Sequence, residues 1–148
     1  SLRHEFPNAH ISADVICGFP GETEADFRET EEFIRDCGLS SLHAFPYSKR
    51  PNTAALRMPN HIPTDVIQQR VRTLRALSAN LYRQFANRFV GQSMEILWEG
   101  SEDSQGRIVG KTRNYVEVVA KTSAEIRPGS ITNCKMHGFV EKDRVFCS

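Results

Sequence analysis

Residues 14–23 read DVICGFPGET, a run of strand formers that stops in Gly-Phe-Pro-Gly and continues into an acidic residue and a threonine. Gly18 lets the backbone turn directly off a strand, Pro20 fixes φ, and Gly21 permits a positive φ or the close approach of a ligand. Working outward, residues 10–19 are rich in Ile and Val and lie between Asn8 and Pro20, which predicts a strand covered on both faces. Thr23 followed three residues later by Asp26 is a capping-box-like helix start, and Glu24 and Asp26 put negative charge where the helix dipole favours it. Phe27, Ile34 and Cys37 then recur at helical spacing until Gly38 supplies a stop. Residues 39–45, LSSLHAF, form the next strand. Strand, helix, strand in that order predicts parallel pairing through a right-handed crossover.

Downstream, residues 46–63 (PYSKRPNTAALRMPNHIP) are a long irregular stretch with four prolines, and loops of that length are usually functional or linkers. Thr64 reads as a helix cap. Ile67, Val71, Leu74, Leu77, Leu81, Phe85 and Phe89 mark one apolar stripe up to Gly91, so residues 65–90 predict one helix of about 39 Å at the standard rise. Its other face carries Arg70, Arg72, Arg75, Arg83 and Arg88. Beyond Gly91 the pattern changes to short strands, SMEILWE, RIVGKT, NYVEVVA, GSITNCKMH and RVFC, separated by Gly100, Asp103-Ser104, Pro128-Gly129 and Lys142-Asp143. Five short strands predict a small closed barrel, because closure removes edges that so small a sheet cannot protect. The fold class is therefore α/β followed by an all-β barrel, with residues 1–90 as one domain and 91–148 as the other.

Composition narrows the function. The chain has 148 residues, 39% hydrophobic and 25% charged, and no apolar run near the roughly 20 residues that span a bilayer. Without a basic-then-apolar leader at its start it reads as cytoplasmic. Cys17, Cys37, Cys134 and Cys147 lack C-x-x-C spacing and sit in or beside apolar segments, which reads as structural thiols, and the five histidines form no ligand cluster. The net charge of +1 hides a gradient: 6 Lys+Arg against 9 Asp+Glu in residues 1–62, 5 against 1 in 63–90, and 8 against 8 in 91–148. Uneven charge of this kind bears on partners.

The loop at 18–21 sits at the C-terminal end of a predicted parallel strand, where ligands bind in open sheets and α/β barrels, yet the dinucleotide fingerprint G-x-G-x-x-G is absent. Taken alone it is equally a stiff strand-to-helix turn. The order DVICGFPGETEADF, LHAFPYSKRPNTAA, a long Arg-bearing helix and a barrel containing GKTRNY resembles the C-terminal part of the radical S-adenosylmethionine (SAM) methylthiotransferases that modify tRNA. The likeness runs over nearly the whole chain. The HAFPYS spelling and the NYVEVV segment look most like the threonylcarbamoyladenosine branch, with the isopentenyladenosine branch next.

That resemblance implies the C-terminal portion of a partial (β/α) radical SAM barrel, then a long helix and a five-stranded TRAM-type barrel. It implies that Asp14 faces the cofactor ribose, a task that suits a carboxylate because it accepts two hydroxyl hydrogen bonds. Gly18 and the stretch Phe45, Pro46, Tyr47 and Ser48 belong to the same pocket, the latter beside the adenine. Lys49 and Arg50 stand where substrate enters and can hold a phosphate or a carboxylate. Lys111, Arg113 and Tyr115 pair a basic cluster with an aromatic able to stack on a base, with Arg70, Arg72 and Arg75 extending the positive track toward a tRNA anticodon stem-loop. The intact enzymes use SAM and [4Fe-4S] clusters. The cluster motif C-x-x-x-C-x-x-C is absent here, so this chain has no metal ligands and no catalytic residue of its own, and its partner is the missing N-terminal part of the same protein. Two other readings stay open: a non-catalytic RNA-binding module, and a generic nucleotide-binding α/β protein with an appended barrel. An open sheet edge at 11–19 or 39–45 would invite self-association.

Overall fold

In the computed structural model, which describes residues 2–100, 102–140 and 143–148, a one-turn helix α1 (Leu2–Glu5) precedes strand β1 (Ser12–Cys17), helix α2 (Glu24–Asp36) and strand β2 (Ser41–Pro46). Lys142 of the last expected turn lies outside the described residues. The helix α2 starts as its sequence predicts: Thr23 Oγ1 accepts from the Asp26 N–H at 3.2 Å, while the Asp26 carboxylate accepts from the Thr23 N–H at 2.8 Å. These Thr23 hydrogen bonds hold the Asp26 carboxyl below its usual range. The helix ends at Gly38, whose φ of 76° is one that a residue with a Cβ adopts with difficulty. Cys37, at the cap, is exposed and not part of the apolar face.

The strands β1 and β2 are parallel, Ser12 opposite Ser41 and Cys17 opposite Pro46. Only one face of this pair is covered among the described residues. Cys17, Leu42 and Ala44 are buried with Phe27 and Ile34 of α2, whereas Asp14, Ile16, His43 and Phe45 on the other face are exposed. The expectation of a strand buried on both faces is corrected accordingly: among the described residues, helices pack on one side of the sheet alone.

After a short 3₁₀ turn (Ala55–Arg57) comes helix α3 (Thr64–Asn87). Thr64 is the first helical residue and not the cap, the first helical bond running from the Ile67 N–H to the Pro63 carbonyl at 3.0 Å. Ile67, Val71, Leu74, Leu77 and Leu81 form the expected buried stripe. Two polar residues lie among them. Arg70 is 6% exposed, and the Ser78 hydroxyl both accepts from the Leu42 N–H (2.9 Å) and donates to the Leu42 carbonyl (2.7 Å).

The remaining strands, β3 (Ser93–Glu99), β4 (Arg107–Thr112), β5 (Glu117–Lys121), β6 (Ile131–Phe139) and β7 (Val145–Cys147), close into a barrel in the order β3-β4-β5-β7-β6. The pair β5–β7 is parallel and the others antiparallel, with a bulge between Met136 and Gly138. Trp98, Ile96, Ile108, Val118, Met136 and Val145 fill its core together with Phe85, Ala86 and Phe89. The chain resolves into two compact units, Ile11–Leu81 and the segment up to His10 with Tyr82–Ser148, so the division falls inside α3. No helix among the described residues is long and apolar enough to cross a membrane.

β3 and β4 pack closely at Gly110. A Cβ built on Gly110 would lie 2.7 Å from both Ile96 Cγ2 and Trp98 Cε3 and 2.8 Å from the Leu97 carbonyl oxygen. The Trp98 indole N–H donates to Thr132 Oγ1 at 2.8 Å, which fixes the ring against relaxation. Gly110→Ala is therefore expected to destabilise the barrel by about 1–3 kcal/mol through overpacking. Urea unfolding followed by the fluorescence of Trp98, the chain's single tryptophan, measures it; an unchanged midpoint would show that the contact yields freely.

Candidate functional site

The open face of β1 and β2 ends in a cleft of about 440 Å³. Asp14 and Ile16 from β1, Phe45 and Pro46 from β2, and Tyr47, Ser48 and Arg50 just beyond it line the cleft, so six of the expected site residues meet in one place. The alternation explains the grouping: Asp14 stands opposite His43 and Ile16 opposite Phe45, all with side chains directed away from the helices. Phe19, Thr53 and Ala55 complete the lining. The sequence reading missed Ile16 and Phe19, although Ile16 lies two residues from Asp14 and so shares its face. Tyr47 packs edge-on to Phe19 (ring centroids 5.6 Å) and stacks on His61 (6.2 Å). Its hydroxyl is buried and has no hydrogen-bond partner among the described residues.

Two expected pocket residues do not line the cleft. Lys49 is exposed beside it, and Gly18 is buried behind it. Gly18, at φ 79°, abuts the Ile67 side chain so closely that a Cβ would clash with it. Its N–H donates to Glu22 Oε2 at 2.7 Å, and that carboxylate is gripped by Arg70 Nη1 at 2.5 Å, which also donates to the Glu22 carbonyl at 3.1 Å. Arg70 Nη2 reaches Glu24 at 3.4 Å, and its guanidinium lies over the Phe27 ring at 5.3 Å. The expectation that Arg70 belongs to an exposed positive track is thus corrected: its charge is consumed inside the fold, while Arg72 and Arg75 remain exposed. Next to this network, burial pushes the Cys17 thiol up to about 11.

On the barrel, Lys111, Arg113 and Tyr115 border a second groove of about 360 Å³. Both cations are already paired: Lys111 Nζ lies 3.1 Å from Glu99 and Arg113 Nε 3.3 Å from Glu95, each across from β3. Tyr115 is 67% exposed and not a core residue, and it sits at φ 63° in the turn after β4. Among the described residues no group of three or more His, Cys, Asp or Glu side chains is placed to hold a metal ion.

No family model matches the chain. It is 39% identical over 128 residues to a threonylcarbamoyladenosine tRNA methylthiotransferase of Bacillus subtilis, covering 84% of this chain and 28% of that protein. Over 139 residues it is 37% identical to a tRNA-2-methylthio-N(6)-dimethylallyladenosine synthase of Salinispora arenicola (89% and 28%), and over 143 residues 33% identical to one of Corynebacterium efficiens (91% and 27%). The chain spans little more than a quarter of the length of these relatives.

The lone Tyr47 hydroxyl gives a direct test of the cleft. A buried hydroxyl without a partner carries a desolvation penalty of about 1–3 kcal/mol. Tyr47→Phe is therefore expected to leave the unliganded chain at least as stable as the wild type in thermal unfolding; a lowered midpoint would mean that the hydroxyl is already satisfied and is not held in reserve for a ligand.

Proposed function

We propose, from its 33–39% identity to tRNA methylthiotransferases over 84–91% of its length, that the chain is the C-terminal part of such an enzyme. The intact protein would add a methylthio group to a threonylcarbamoyl- or dimethylallyl-modified adenosine next to the anticodon, with residues 1–90 contributing to the cofactor site and 91–148 to tRNA binding. The observation that carries this reading is the cleft, in which an exposed carboxylate, Asp14, shares a face with Ile16 and Phe45 and adjoins the unpartnered Tyr47 hydroxyl. Those groups fit a nucleoside such as the adenosyl part of SAM. The carboxylate accepts from ribose hydroxyls, the apolar side chains flank the base, and the phenol hydrogen-bonds a polar atom that enters. SAM at an iron–sulfur cluster supplies the radical chemistry in enzymes of this kind. The cysteines that hold such clusters are not in this sequence, so the chain alone is expected to be inactive and to rely on the N-terminal part.

Arg50 lines the same cleft and forms no ion pair among the described residues. A guanidinium there matches the carboxylate of a threonylcarbamoyl group, which the dimethylallyl group lacks. Lys49 beside it adds positive charge for the RNA backbone. In the barrel, Lys111 and Arg113 can reach phosphate by exchanging Glu99 and Glu95 for it, while Tyr115 offers its exposed ring to a base. A second reading, an RNA-binding module without chemistry, draws on the closed barrel and its exposed aromatic turn.

Asp14→Asn in the intact enzyme is expected to weaken SAM binding by roughly 1.5–3 kcal/mol, the value of charge-assisted hydrogen bonds, without altering the fold. Calorimetry showing unchanged affinity would return Asp14 to the role of a solvated strand residue. For the barrel, replacing both Lys111 and Arg113 with Ala should lower anticodon stem-loop affinity and flatten its dependence on salt by about one to two phosphate contacts. A folded double variant with wild-type affinity and salt slope would place the RNA face elsewhere.

A further inference from the structure

We propose that Arg70 is a positioning residue that clamps the loop after β1 to α3 and thereby sets one wall of the cleft. The inference rests on the functional reading above for the ligand, but the clamp itself is visible in the geometry. Gly18 turns the chain off β1 so close to Ile67 of α3 that only a hydrogen fits between them. The Gly18 N–H is bound by the Glu22 carboxylate, and that carboxylate together with the Glu22 carbonyl is bound by Arg70. Between these two anchors lies Phe19, which lines the cleft and braces Tyr47. Gly21 ties the same loop to the segment before α3, its N–H donating to the Asn60 carbonyl at 2.9 Å. The loop is thus held at Gly18, Gly21 and Glu22, and Arg70 ties Glu22 to the helix. Arg70 does not line the cleft; it acts through Glu22.

Cys17 provides a local reporter. It is 1% exposed and immediately precedes Gly18, so it becomes reactive when the loop lifts from α3. Cys134 and Cys147, buried in the barrel, serve as internal controls. Alkylation with N-ethylmaleimide under native conditions, mapped peptide by peptide, is expected to be about tenfold faster at Cys17 in Arg70→Met and unchanged at the two barrel thiols. The double variant Glu22→Gln, Arg70→Met separates positioning from mere charge matching. It leaves no buried charge unpaired, and the side-chain amide oxygen that replaces the carboxylate still accepts from Gly18, so the thermal midpoint should return close to wild type. The link to α3 stays broken, so Cys17 should remain about tenfold more reactive. In the intact enzyme, the same double variant should bind SAM about tenfold more weakly, with Arg70→Lys in between. Recovery of both stability and Cys17 protection in the double variant overturns the proposal, since Arg70 would then only balance a charge. If wild-type intact enzyme fails to bind SAM, the functional reading falls and the Cys17 rates alone decide the clamp.

Discussion

A guanidinium 6% exposed must be matched where it lies, and the Arg70–Glu22 pair is the constraint on which the arrangement of this α/β unit turns. Taking two charges out of water is expensive, and removal of one partner costs about 3–5 kcal/mol because the other is left uncompensated. The pair is tolerable here because nearly every polar atom is used: Glu22 Oε2 also accepts from Gly18, and Arg70 also donates to a carbonyl and to Glu24. Arg70 Nε is buried with no partner among the described residues. Such a network admits few alternative geometries, so the turn at the end of β1 is fixed to within hydrogen-bond tolerances. Phe19 and the cleft inherit that order.

The helix α3 imposes a second constraint at the other edge of the sheet. The Tyr47 N–H bonds the Cys17 carbonyl, so along β2 the backbone groups of Leu42, Ala44 and Pro46 point away from β1. Ser78 occupies both groups of Leu42, and Pro46 has no N–H to offer. The β2 edge is thereby partly blocked to further strands, whereas the β1 edge carries no comparable cover among the described residues. Exposed Ile16 and Phe45 lie on the uncovered face.

The barrel solves the edge problem differently, by closing. Several of its outer charges are also matched within the barrel: Lys111 with Glu99, Arg113 with Glu95, Arg144 with Glu117 and Arg107 with Asp103. Pairs this exposed contribute little to stability and are screened by salt. They keep the surface near neutrality, so any anionic ligand has to compete with carboxylates for these basic groups.

Local rules were sufficient for the elements themselves. The capping box at Thr23, the stop at Gly38, the alternation of the short strands and the 3.6-residue stripe from Ile67 to Phe89 each depend on neighbours in sequence, and all appear in the structure. The convergence of Asp14 with Phe45, Pro46, Tyr47, Ser48 and Arg50 in one cleft, expected from the family resemblance and not from local rules, is also present. What sequence alone could not decide was where each polar group finds its partner. Arg70 reads as one more arginine on a polar face until the fold brings Glu22 to it from 48 residues away; Ser78 reads as a neutral helix residue until Leu42 presents a bare strand edge. Gly18 reads as a pocket residue until Ile67 is found against it, and Lys111 and Arg113 read as free charges until β3 lays two glutamates alongside. Periodicity reports which face of an element is apolar, but hydrogen bonds and ion pairs are set by distances between elements. Those distances exist only once the chain has folded.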